Sequence, residues 1–310
     1  MDGPLCPTLP NELWIRVLRS LDTDDDLSFI WITCRHVCSV FKDASESVFL
    51  EKLLPKLRID FQLGDYLPPM RGGRRQSALP LSCEFEFQHL SEDNNTATLC
   101  VDKEMPDELK PITRKRMRES MAESHLEIPL HIIQIRRDIN DGPISGLSID
   151  YDKLELSCNW REVFTAFYGE EFLYHKLLTQ AVAGRESWLA ELKAKVDKKE
   201  MDPQQVIMKA INGFAEDNML ARKMARRARV KRQFAEFDGT EWDFSRDGDE
   251  DGEERVLKSL AQLRQFASFE EWSDDEDDVD DEDGEDGSGV EWETEDEEDG
   301  SEDEGSGEDD

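Results

Sequence analysis

The chain has 310 residues, 37% of them hydrophobic, which is enough for one or two folded domains. Its formal net charge is −35, but Glu270 to Asp310 supplies −26 of it, with 26 acidic and no basic residues among 41, leaving −9 for everything before. No run of 18 apolar residues occurs, and Met1 to Thr8 lacks a basic start followed by an apolar core; neither secretion nor membrane spanning is expected, and the expected location is the nucleus, the cytoplasm or both.

The first element is Leu9 to Leu21. At about 100° per residue, Leu9, Leu13, Trp14, Val17, Leu18 and Leu21 share an arc of roughly 180°, wider than a surface helix needs. Pro10 suits a first helical turn, and Asp22 to Asp26 breaks the pattern with turn and capping chemistry. Leu27, Ile30, Trp31, Cys34, Val37, Phe41, Val48 and Phe49 then recur mostly three or four apart, which predicts two further helices.

Leu9-Pro10-Asn11-Glu12-Leu13, then a loop, Asp26-Leu27 and Val37-Cys38-Ser39-Val40-Phe41, resembles the F-box family over about 50 residues, Leu9 to Leu57. By spacing the family's cysteine falls at Cys34, by residue type at Cys38, two registers about one helical turn apart. The resemblance implies a helical F-box-like domain over 1–55 that binds the Skp-type linker subunit of a cullin-RING ubiquitin ligase. It points to Leu9, Pro10, Leu13 and Leu18 as contacts, with Leu27, Val37 and Phe41 as further ones and Glu12 either capping the first turn or meeting a polar rim. A unit this small buries little core alone, so apolar surface is left for a partner.

The six cysteines, at 6, 34, 38, 83, 100 and 158, lack paired metal-site spacing, and on one helix His36 would point away from Cys34 and Cys38. They read as small buried thiols, and no metal or other cofactor is expected.

Pro55 ends the helical part, and Leu57, Ile59, Phe61 and Leu63 alternate as in a strand. Leu81 to Phe87 and Ala97 to Val101 form a hairpin across Ser91 to Asn95, and a short helix is expected at Arg114 to Glu123. Leu130 to Arg136, Ile144 to Ile149 and Lys153 to Ser157 are three more strand candidates. Connections this short exclude parallel crossovers, so an antiparallel sheet of about five or six strands follows. Trp160 to Gln180, with Gly169 as a possible break, is a helix able to cover the sheet, and Ser187 to Lys198 and Gln204 to Phe237 continue as helices. The fold class is α+β, with 56–238 as the domain expected to hold a protein substrate.

Ala221 to Arg232 is strongly basic. Arg222, Lys223, Arg226, Arg227 and Arg229 share an arc of roughly 160°, and Leu220, Ala221, Met224, Ala225 and Ala228 lie opposite, so a solvent-facing basic face is expected. It could be a plain solvated face, a nuclear localisation or nucleic-acid contact, or a seat for the acidic tail; nucleic acid is the less favoured partner. A linker over 239–272 carries a short amphipathic helix, Glu253 to Trp272, and the tail, 273–310, has too few apolar residues to fold. Ser273-Asp274-Asp275-Glu276 and Ser301-Glu302-Asp303-Glu304 resemble sites for acid-directed kinases. No phosphate loop, nucleophile elbow or zinc-protease motif occurs, so the chain is expected to be no enzyme. Two functions emerge: an F-box substrate adaptor, or an acidic-tail chaperone for basic nuclear or ribosomal proteins.

Overall fold

The structure is a computed structural model and describes residues 9–67, 77–102, 105–122, 128–237 and 249–274. The acidic tail beyond Asp274 and the two kinase-like motifs, apart from Ser273 and Asp274, lie outside the described residues.

Three helices lead. Helix α1, Asn11–Arg19, starts behind Pro10. Helix α2, Asp24–Ile32, is capped by Thr23, whose hydroxyl accepts the Asp26 N–H at 3.2 Å, and Asp24, Asp25 and Asp26 sit at its positive end. A 3-10 turn over Cys34–His36 precedes helix α3, Ser39–Val48, and Pro55 then brings the chain into the sheet.

The fold is α+β, as expected. Strands β1 Leu57–Tyr66, β2 Leu79–Leu90, β3 Thr96–Val101, β4 His131–Ile135, β5 Asp138–Asn140, β6 Ser148–Asp150 and β7 Glu155–Asn159 form one sheet in the order β5-β4-β1-β2-β3-β7-β6. Every neighbouring pair is antiparallel. The extra strand is β5, three residues folded back on β4 through Arg136-Arg137, too short to show a period of two. Gly64, at φ +77°, sits where β1 bulges between Gln62 and Asp65. Helix α4 spans Lys110–Ala122, and α5 Trp160–Gly184, α6 Glu186–Asp197, α7 Pro203–Phe237 and α8 Asp249–Asp274 follow. Gly169 lies inside α5 without ending it.

Alternation along the strands places Ile59, Phe61, Phe85, Leu99, Ile133 and Leu156 in the core under Trp160, Phe164 and Phe167 of α5. The N-terminal helices join this same core. Trp31 of α2 is wholly buried, its ring centroid 5.8 Å from Trp160 and 5.6 Å from Phe164, and its indole N–H donates to Thr165 Oγ1 at 3.1 Å. Glu46 of α3 accepts from Arg35 at 2.7 Å and from Arg161 of α5 at 2.8 Å. Burial alone would raise the Glu46 pKa, but these two guanidiniums hold it below the usual range. At the β4–β5 turn, Arg136 meets Asp22 at 2.6 Å and Arg137 meets Asp24 at 2.7 Å. Residues 9–55 and the sheet therefore share one hydrophobic core.

The cysteines meet the expectation in part. Cys83 and Cys158 are buried thiols, each pushed up to about 12 by burial, whereas Cys34 and Cys100 are partly exposed and Cys38 is in a disulfide.

Two consequences can be measured. Trp31→Ala should cost about 3–5 kcal/mol, because it opens a cavity between the helical unit and the sheet. Far-UV circular dichroism and tryptophan fluorescence should report one shared unfolding transition; separate transitions would contradict a common core. The second concerns Asp60 in β1, which faces Glu84 across the β1–β2 pair; burial first and then that neighbouring charge push its pKa up to about 6. The folded state holds this proton more tightly than the unfolded chain, so the associated stability is complete below about pH 4 and is lost as pH rises through about 6. Asp60→Asn should therefore raise the urea midpoint at pH 8 and leave it unchanged near pH 3.5, and a gain of equal size at both would refute this account.

Candidate functional site

Helix α2 faces the body, and α1 lies outside it on α3. Trp14 packs on Phe41 with ring centroids 4.6 Å apart, and Ile15 and Leu18 turn inward with it. The other side of α1 is bare. Leu9, Leu13, Val17 and Leu21, four residues apart, are between 37% and 46% exposed, and Val37, after the 3-10 turn, is 57% exposed. Pro10 and Glu12 are exposed too. Glu12 cannot close a capping box because Pro10 has no N–H to offer, and α1 has no side-chain cap. It sits in the first turn, where a carboxylate favours the helix dipole.

Two of the expected contact residues are misplaced by the sequence reading. Leu18 is 3% exposed and Leu27 is 2% exposed, both in the main core, so neither offers a surface to a partner. The broad apolar arc is divided: one half packs on α3, the other stays in solvent. Phe41 is half-buried against Trp14.

The basic stretch is also corrected. Arg222, Arg226, Arg227 and Arg229 do not form a solvated face but turn to the body, where each finds a carboxylate, while Arg232 stays exposed. Asp141, buried in the loop after β5, receives Arg226 Nε at 3.0 Å and Arg226 Nη2 at 2.6 Å, and also pairs with Arg229. Arg229 bridges to Glu170 of α5 and donates to Gln233 Oε1 at 2.7 Å. Arg222 pairs with Glu171 of α5 and lies 3.4 Å from the centroid of the Tyr174 ring. Arg227 reaches Glu253 of α8 at 2.6 Å, and Lys223 reaches the same carboxylate at 3.6 Å. Burial alone would raise the Asp141 and Glu171 pKa values, yet Arg229 and Arg226 at the first, and Arg222 and Arg264 at the second, hold both below the carboxylate range. The signal was in the spacing: Ala221 and Ala225 alternate with Arg222, Arg226 and Arg229, and the small residues let α7 approach α5 closely enough for the guanidiniums to reach buried acids.

A cavity of about 590 Å³ lies beside this network, between β4, the end of β1 and α8, with His131, Asp141, Ser259 and Leu260 among its lining residues. His131 Nε2 donates to the Gly142 carbonyl at 2.6 Å, and burial lowers its pKa, which favours the neutral ring. Among the described residues no group of three or more His, Cys, Asp or Glu is placed to hold a metal ion, and no helix is long and apolar enough to cross a membrane. No family model matches the chain, and neither a curated protein nor a solved structure is detectably similar to it.

Arg226→Met should cost about 3–5 kcal/mol, since it strips Asp141 of its bidentate partner while the carboxylate stays buried. Asp141→Leu in the same protein should recover a large part of that loss, as a double-mutant cycle in urea would show. Sodium chloride at about 0.5 M should leave the coupling energy of that cycle nearly unchanged, whereas a pair on an exposed face would lose most of its coupling.

Proposed function

We propose that the chain is the substrate-recognition adaptor of a Skp–cullin–F-box type ubiquitin ligase, in which α1 docks the Skp-type linker and the α+β body holds a protein substrate. The chain itself would catalyse nothing; ubiquitin transfer would belong to other subunits. What supports this reading is one coincidence. The Leu-Pro-x-Glu-Leu start, which suggests the family, opens the helix whose outer side, Leu9, Leu13, Val17 and Leu21, is left exposed while Leu18 on its inner side is buried and Trp14 and Ile15 are partly buried against the core. An apolar stripe of this kind on an outer helix is suited to burial against another protein. The contact set proposed is therefore Leu9, Pro10, Leu13, Val17 and Leu21 with Val37, and it omits Leu18 and Leu27.

Calorimetric titration of the purified Skp-type linker tests it. The full chain should bind, and Leu9→Ala with Leu13→Asp should weaken binding by about a hundredfold or more, because a charge is placed in a desolvated apolar contact. Both side chains are exposed, so the unfolding midpoint should stay put. Leu18→Ala should do the reverse, lowering stability by about 2–4 kcal/mol with affinity retained in the folded fraction. An affinity unaltered by the double substitution would refute the proposal. Wild-type protein that ignores the linker but captures basic proteins through 273–310 would favour the acidic-chaperone function instead.

A further inference from the structure

Helix α7 has a second apolar face that the adaptor reading does not use. Along one side of it run Ile207, Ile211, Phe214, Asn218, Ala221, Ala225 and Arg229, spaced three or four apart. From Asn218 onward this strip is covered by α5: Asn218 donates to the Tyr174 hydroxyl at 2.9 Å, and Ala221 and Ala225 are buried beside Tyr174. Towards the N-terminus the same strip is bare. Ile207, Met208, Ile211 and Phe214 are each more than half exposed, and Leu189 of α6 and Met219 flank them in the open. Helix α6 lies on another side of α7. It comes in at Gly213, where a Cβ would meet Arg185 and Trp188, and buries Leu192.

We propose that a second copy of this chain covers the strip, so that two α6–α7 hairpins join about a two-fold axis as an antiparallel four-helix bundle. Three observations select this occupant. The first is charge: from Pro203 to Ala215 the only charged residue is Lys209, about 160° around the helix from Ile211. Two molecules of net charge −35 repel over most approaches, and this strip brings no charge against itself. The second is symmetry. With Ile211 on the axis, Ile207 and Phe214 lie on either side of it, so antiparallel strips meet like with like and the knobs keep three-four spacing. The third is size. Leu189, Ile207, Met208, Ile211, Phe214 and Met219 each leave on the order of 100 Å² exposed, and with the neutral rim of Gln204 and Asn212 each copy would contribute roughly 600–800 Å², close to one side of a standard interface. On α7 itself the rim is uncharged, which gives a charged partner helix little to select.

Sedimentation velocity on the full chain from about 1 to 100 µM tests this. A dimer is expected, its dissociation constant falling severalfold as sodium chloride rises from about 0.05 to 0.5 M, because salt screens the repulsion and leaves the apolar contact. Ile207→Glu with Ile211→Glu should give a monomer of unchanged helicity, while Lys209→Glu, on the far side, and Leu13→Glu, on α1, should remain dimeric. Should the double glutamate protein fail to fold, oxidation of Ile211→Cys decides: it should cross-link two chains across the axis, and Lys209→Cys should not. A wild-type monomer throughout the range, a dimer that survives the two glutamates, a dimer dissolved by Leu13→Glu, or equal cross-linking at 209 and 211 would each overturn the proposal. Because Leu13→Glu alters only α1, failure of this dimer and failure of the linker contact read out separately.

Discussion

A carboxylate at 2% exposure, Asp141, constrains much of the architecture around it. An unpaired charge so placed would be very costly, and the structure meets that cost with two guanidiniums from one helix, Arg226 and Arg229. Holding them there fixes the rotation of α7 about its axis. That rotation in turn aims Arg222 at Glu171 and leaves Arg227 and Lys223 at the border, where Glu253 of α8 reaches them. Asn140 adds to the rigidity of the same loop, accepting the Gly142 N–H at 3.0 Å. The far end of α7 has no such acids to meet, and its side chains there are isoleucine, methionine and phenylalanine.

The strands were legible because each inner face is a period-two run of large apolar residues: Leu57, Ile59, Phe61 and Leu63 in β1, and Leu81, Cys83 and Phe85 in β2. Strand β5 was not, since Asp138-Ile139-Asn140 is polar at two of its three positions and buried at all three. Helix periodicity located α5, α6 and α7 closely, but amphipathicity alone misjudged which side of α7 faces the protein. A helical projection assigns charge to solvent by default; only the positions of Asp141, Glu170 and Glu171, far away in sequence, reverse that for the arginines. At α1 the difficulty was of another kind. The apolar arc was correctly seen as too wide for one contact, yet nothing local says which half meets α3, and Leu18 and Leu13 are separated only by tertiary packing.

Helix α2, through Trp31, seats the N-terminal unit on α5 and the sheet, with Arg136 and Arg137 gripping the acidic loop in front of it. Helix α1 is thereby carried on a support that belongs to the main core. In a protein proposed to join two others, this matters: a docking helix that shares its core with the rest of the molecule transmits a defined orientation to whatever the body holds, as a unit on a loose tether would not.

The two ends of the sheet are its shortest strands. Strand β5 is buried, with Ile139 against Leu260 of α8, and β6 is three residues long, after which Asp150 accepts the N–H groups of Asp152 and Lys153 and curls the chain away. Among the described residues neither border offers a long row of free backbone donors and acceptors, the template on which strands from other chains add and from which edge-to-edge aggregation spreads. A molecule that keeps leucine, isoleucine and methionine in the open on its helices can thus stay selective: the apolar contacts it offers run through side chains on helices, and the sheet is closed to recruitment.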